Sequence, residues 1–171
     1  MKDLASQVRV EAWADPVVEA LGFDPRGPYL EFVLLGRLGP SACWCLRRLV
    51  AGLAAQPGGY ECSIPQLGAE LGLGQGTGRN SHLAKTLARL EAMGLVREAG
   101  PGTLQVRRAL APVTQAQLAR LAPSARRAHD LLVDRRDRES GAANNKDRAE
   151  VASARCREAT RDLVRGGSFE R

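Results

Sequence analysis

Few side chains in this sequence can do covalent or metal chemistry: four cysteines (Cys43, Cys45, Cys62 and Cys156) and two histidines (His82 and His129). A tetrahedral metal site needs several such donors to converge on one ion. Cys43 and Cys45 are two apart on an expected helix, about 200° around its axis, so their thiolates diverge. Four irregularly spaced cysteines do not make the disulfide framework of a small secreted domain, and free cysteine is among the most buried residue types. They read as reduced core thiols, and neither a metal nor a cofactor is expected. No nucleophile elbow or His-x-x-x-His pattern occurs, so no enzyme is expected either. The turn GLGQGTG carries Gly72, Gly74, Gly76 and Gly78, which invites a nucleotide-binding reading. A phosphate-cradling loop, however, needs a buried strand before it and a Lys-Ser/Thr pair after it. Here an expected short helix precedes the turn and Arg79-Asn80 follows Gly78, so the turn reads as a connection between two helices.

The chemistry that remains is charge and hydrogen bonding on one helix face. Asn80 or Ser81 can cap a helix whose apolar positions are Leu83, Leu87 and Leu90, with Met93 at its end and Gly94 closing it. At about 100° per residue, Leu83, Leu87, Leu90 and Gly94 share one side, while Ser81, His82, Lys85, Ala88, Arg89 and Ala92 share the other. The outward side is cationic, hydrogen-bonding and otherwise small. Such a face suits a DNA groove, because Lys and Arg reach phosphates or guanine edges and alanines permit close approach. Arg79 and Asn80 stand at the helix N-terminus, where backbone N–H groups favour phosphate. A solvated face carrying two cations is the plainer alternative.

The elements that must position this face follow from pattern and punctuation. Residues 1–39 are expected to open with two helical stretches, the second capped by Asp15 with Pro16 in its first position. After the break FDPRGP, the run YLEFVLLGRL is apolar around more than one helical face and needs a covering surface. Residues 40–56 read as a helix with Leu46, Leu49, Val50 and Leu53 on one stripe and Trp44 opposite. Tyr60, Cys62 and Ile64 alternate as in a short strand, and a short helix after Pro65 carries Leu67 and Leu71. Beyond Gly94, LVRE and LQVR flank the loop AGPGT as a hairpin. Thr114 and Gln117 have capping-box spacing, Ser124 can cap a helix running through HDLLVDRRDRE, and 146–165 is a charge-laced helical pattern after the break GAANN.

The order from Ser41 to Arg107 is helix, short strand, helix, turn, helix, hairpin, with SHLAKTLARLEAMGLVRE as its most specific stretch. This resembles the winged helix-turn-helix family of DNA-binding regulators over about two-fifths of the chain. The resemblance implies that the helix beginning near Ser81 enters the major groove, with Arg79, Asn80, Ser81, His82, Lys85, Thr86 and Arg89 as contact residues. It further implies that the hairpin is a wing, contacting DNA through Arg97, Thr103, Gln105, Arg107 and Arg108. The wing tip, Ala99 to Gly102, departs from the family in lacking a cation, which favours contacts from the strands to the backbone. The segments DPRGPYLEF and LGPSACWCLRRL are similar to proteins of high-GC bacteria, which adds no function.

Composition agrees with a mainly α fold: apolar residues make up 44% but aromatics only 4%, so the core is built from Leu, Ala and Val. The expected organisation is an N-terminal helical segment (1–39) for dimerisation or core cover, a winged helix-turn-helix domain (40–112) and a basic helical extension (113–171). The formal charge is +6, and it is unevenly placed: residues 1–60 carry six acidic and six basic side chains, 61–100 four and four, and 101–171 nine and fifteen. A basic surplus at one end is a footprint of polyanion binding. No leader-like h-region or membrane-length apolar run is present, so a cytoplasmic, membrane-free protein is expected. The expected partners are double-stranded DNA and, because Trp44 and YLEFVLLGRL demand a cover, a second copy of the chain; the sequence does not specify whether a small-molecule effector binds. The expected function is transcriptional regulation as a homodimer. The alternative is a winged-helix interaction module docking an acidic partner.

Overall fold

In the computed structural model, residues 5–141 are described, and the chain divides into a compact unit ending at His129 and a second beginning at Asp130. The expected boundaries at 39/40 and 112/113 both fall inside the first unit. That unit is mixed α/β, with helices packed on a four-stranded sheet, where the composition had pointed to a mainly α fold with strands confined to a small wing.

The additional strand comes from the N-terminus. Residues Gln7–Ala12 form strand β1, not the helix expected there. Val8 and Val10 are buried while Gln7 and Arg9 are exposed, the period-two alternation of a sheet with one covered face. Strand β2 (Tyr60–Ser63) pairs antiparallel on one edge of β1, from Gln7 opposite Ser63 to Val10 opposite Tyr60. Strand β4 (Thr103–Val106) pairs parallel on the other edge, from Arg9 opposite Thr103 to Ala12 opposite Val106. Strand β3 (Val96–Gly100) completes the sheet as the antiparallel hairpin partner of β4, giving the order β2-β1-β4-β3.

After β1, Asp15 caps the short helix α1 (Pro16–Leu21), its carboxylate accepting from Val18 N–H at 3.1 Å. Helix α2 spans 28–38, wound as a π turn over Leu30–Leu34 and as α-helix over Leu35–Leu38. Tyr29, Leu30, Val33, Leu34 and Leu38 are buried, but Phe32 stays 63% and Leu35 40% exposed, so the circumference is only partly covered. Helix α3 (Pro40–Ala55) buries Leu46, Leu49, Val50 and Leu53 and packs on β1, β4 and the helix His82–Ala92. Tyr29 ties the C-terminal part to this body. Its ring stacks on Phe23 at 3.8 Å, and its hydroxyl accepts from Val113 N–H at 3.0 Å and lies 2.8 Å from His129 Nδ1.

The remaining helices obey their local signals. Ser63 caps α4 (Ile64–Glu70), Thr114 and Gln117 make both bonds of the capping box at α6 (Gln115–Leu118), and residues 123–129 are helical, as is the described part of the second unit, 130–141. The helix pattern at 146–165 and Cys156 lie outside the described residues.

Because β1 is an inner strand, Val10→Ala should lower unfolding free energy by about 2 kcal/mol. The exposed Gln7→Ala should change it by less than about 0.5 kcal/mol. Urea melts of the two variants provide the check, and equal effects would contradict the burial of this strand.

Candidate nucleic-acid interface

Helix α5 (His82–Ala92) is set by a cap and a stop. Ser81 is the N-cap, its Oγ accepting from Ala84 N–H at 3.1 Å, and Gly94 at φ +67° takes the left-handed turn that ends the helix. Leu83, Leu87 and Leu90 are fully buried against α3 and the sheet, which turns His82, Lys85, Ala88, Arg89 and Ala92 outward. Arg79 and Asn80 are exposed in the turn before the helix, and Ser81 is half-buried. The turn itself is held by its own backbone: Leu73 N–H donates to Gly68 O at 2.8 Å, and a Cβ at Gly68 would run into the Gly74 carbonyl. It connects α4 to α5.

Two of the expected contact residues on α5 have other employment. Thr86 is 8% exposed and its hydroxyl donates to His82 O at 2.8 Å. The expectation that it contacts DNA is therefore corrected: it lies on the packed flank, with its hydroxyl satisfied within its own helix. Arg89 is an exposed residue, but its Nη1 donates to Leu38 O at 3.0 Å in a part-buried bond and so satisfies the last turn of α2. Lys85 differs from both, since its ammonium has no hydrogen-bond or ion-pair partner among the described residues.

The hairpin presents a different picture. Arg97 lies over the Trp13 ring at 4.2 Å and donates through Nε to Gln105 Oε1 at 2.8 Å. Arg107 lies over the same ring at 4.0 Å, pairs with Asp15 Oδ2 at 2.6 Å and donates to Gly94 O at 2.9 Å. Arg108 grips both carboxylate oxygens of Glu19, each at 2.9 Å. Thr103 is half-buried in β4, beside Gly102. The Arg107 guanidinium, with help from the Val18 N–H, holds the Asp15 carboxyl below the usual carboxylate range. Every cation expected at the wing is thus engaged by residues 13–19 or by its neighbour on the hairpin. Nothing local in the sequence announces Trp13, Asp15 and Glu19 as partners of residues some 90 positions away.

Elsewhere, a cavity of about 340 Å³ between α3, β2 and α4 is lined by Arg48, Tyr60, Cys62, Ser63, Gln66 and Glu70. Its polar groups are mutually satisfied: Arg48 pairs with Glu70 at 2.9 Å, Gln66 donates to Glu70 at 3.0 Å, and Tyr60 donates to Leu49 O at 3.1 Å. Cys43, Cys45 and Cys62 are buried free thiols, and His82 stands apart from them on the exposed face of α5. Burial pushes the Cys43 thiol up to about 11 and the Cys45 thiol up to about 12, the reverse of what a reactive cysteine needs.

No helix among the described residues is long and apolar enough to cross a membrane. Comparison with protein-family models, with curated proteins and with solved structures returned no match. The functional reading therefore stands on the residues and their arrangement.

With thiols so raised, iodoacetamide at pH 8 should modify Cys43 and Cys45 in the folded protein at least about a hundredfold more slowly than a free thiol. Urea should restore ordinary rates. Rapid labelling of either residue in the native state would contradict the core assignment.

Proposed function

We propose that this chain is a cytoplasmic winged helix-turn-helix protein that binds double-stranded DNA and regulates transcription as a homodimer. In this reading α4 and α5 are the helix-turn-helix pair and the β3–β4 hairpin is the wing, with β1 as an added strand between β2 and β4. The observation that carries the reading is the outward face of α5. It sets His82, Lys85 and Arg89 among Ala88 and Ala92, with Leu83, Leu87 and Leu90 anchoring the other side. The unpartnered ammonium of Lys85 is available to a phosphate or a guanine edge. Arg79, Asn80 and Ser81 would meet the phosphate backbone at the helix start. Arg89 would contact DNA through the part of its guanidinium that Leu38 does not use.

The homodimer is supported by an exposed apolar ridge. The ion pair between Glu31 and Arg47 sets the register of α2 against α3. Phe32 follows Glu31 directly, Leu35 stands one turn beyond Glu31 and Trp44 one turn before Arg47, so three exposed apolar side chains flank this ion pair in sequence. Phe32 and Trp44 are 63% and 60% exposed, and Arg47 covers part of the indole at 5.4 Å. Soluble monomers seldom leave such groups clustered, and a second copy would bury them by two-fold pairing. The same ridge supports the second reading, a winged-helix module that docks a protein partner instead of DNA.

Selection of bound duplexes from random sequence should yield a preferred site, and Lys85→Ala should weaken binding to it by about 1–3 kcal/mol. Affinity should fall steeply between low and moderate salt as counterions are released. Unchanged affinity in the Lys85 variant would remove α5 as the reading element, and the absence of any selected duplex would leave the protein-docking reading.

Sedimentation at low micromolar concentration should give a dimer mass for the full chain and a monomer mass for Trp44→Glu. A dimer indifferent to that substitution would move the interface off the α2–α3 ridge.

A further inference from the structure

Residues 13–19 converge on every cation of the hairpin. Trp13 lies against Arg97 and Arg107, Asp15 pairs with Arg107, and Glu19 grips Arg108 with both oxygens. Asp15 and Glu19 are four residues apart, at the cap and within the first turn of α1, so they stand on one face of that helix. Their carboxylates sit where a bound polyanion would set its oxygens, since Arg forks take carboxylate and phosphate with the same bidentate geometry. Both pairs reach solvent, Arg108 and Glu19 at 45% and 32% of their side-chain surface and Arg107 and Asp15 at 19% and 29%. Ion pairs open to solvent contribute little to stability, the more exposed least.

We propose that this segment is an intramolecular cover: Asp15 and Glu19 occupy the hairpin cations in the free protein, and DNA phosphates displace them when the duplex is bound. The proposal rests on the DNA-binding reading above and adds its regulation. In the free state Lys85 is the cation without a partner among the described residues of α5 and the hairpin. Engagement of the hairpin then requires that Arg107 and Arg108 exchange carboxylate for phosphate. Trp13 keeps Arg97 and Arg107 aligned during that exchange, because its contacts with them do not depend on either carboxylate. The Arg107 bond to Gly94 O likewise keeps that side chain over the hairpin after Asp15 leaves.

The test is the charge-removing, shape-keeping double variant Asp15→Asn/Glu19→Gln, compared with the wild type on the selected duplex between about 50 and 200 mM salt. Asn caps a helix as well as Asp does, so α1 keeps its start. The uncovered protein should bind about tenfold tighter at the lower salt. The slope of log affinity against log salt should be steeper by about 1–2, one counterion for each phosphate gained. Glu98→Gln is the control: Glu98 is exposed on the same hairpin and pairs with no cation among the described residues, so it reports the generic effect of removing a charge. A gain per charge no larger than that of Glu98→Gln, in a wild type whose binding depends on Lys85, would overturn the cover and leave the pairs as clasps. If neither wild type nor double variant binds duplex, the DNA reading itself fails and takes the cover with it. Should the double variant melt early, Glu19→Gln alone carries the test, with about half the change in slope expected.

Discussion

The hydrogen-bond ladders on the two edges of β1 are the constraint on which the rest of the first unit depends. A parallel strand pair cannot be closed by a tight turn, so the chain between the two strands has to travel out and return. Here β1 pairs in parallel with β4, and everything from Trp13 to Gly102 is that return path. All three principal core helices, α2, α3 and α5, belong to it. On its other edge β1 holds β2, which leads directly into α4. Remove β1 and β2 and β4 lose their shared neighbour, the hairpin is left to itself, and α3 loses Val8 and Val10 from the floor beneath it.

From that floor the orientation of α5 follows. Leu83, Leu87 and Leu90 are spaced to fill the groove beside α3, and with their burial complete the helix has no rotational freedom left. The positions 82, 85, 88, 89 and 92 are therefore outward by elimination. What distinguishes them chemically is how their charges are spent. Arg89 gives one nitrogen to a backbone carbonyl, Arg107 and Arg108 give theirs to carboxylates, and Lys85 gives its charge to nothing in the described chain.

Much of this was legible in the sequence where the governing interactions are local. The Ser81 cap, the Gly94 stop, the Leu83-Leu87-Leu90 stripe, the Thr114–Gln117 box and the β3–β4 hairpin each depend on residues within one or two turns of one another. The N-terminal strand does not. QVRVEA alternates as a strand should, but six residues carry little weight alone, and the partners that make them a strand lie about 50 and 90 residues further on. Thr86 was misread for a smaller reason: it sits at the border of the apolar stripe, where the wheel leaves direction open and a hydroxyl bonded to the preceding turn decides it. The π turn in α2 shifts the phase of that helix by a residue, a local change that no regular period anticipates. Ion pairs spanning about 90 residues, such as Asp15 with Arg107, leave no local trace at all.

The arginines also explain why α5 is held at a defined angle and not merely pressed into place. Hydrophobic burial is non-directional, so the leucine stripe alone would tolerate some tilt. Two guanidinium contacts remove that tolerance. Arg89, on α5, donates to Leu38 O at the end of α2, and Arg107, on the hairpin side, donates to Gly94 O at the end of α5. One bond ties the helix to the corner between α2 and α3; the other ties its last turn to the hairpin. Arg107 extends the second tie to Trp13 and Asp15 with the rest of its fork, a set of simultaneous contacts that a lysine's single ammonium could not make. The face bearing Lys85 is consequently fixed relative to both the helical body and the sheet. In the proposed DNA reading, the ties to Leu38 O and Gly94 O do not involve Asp15 and keep this face in place while Arg107 exchanges its carboxylate partner for phosphate.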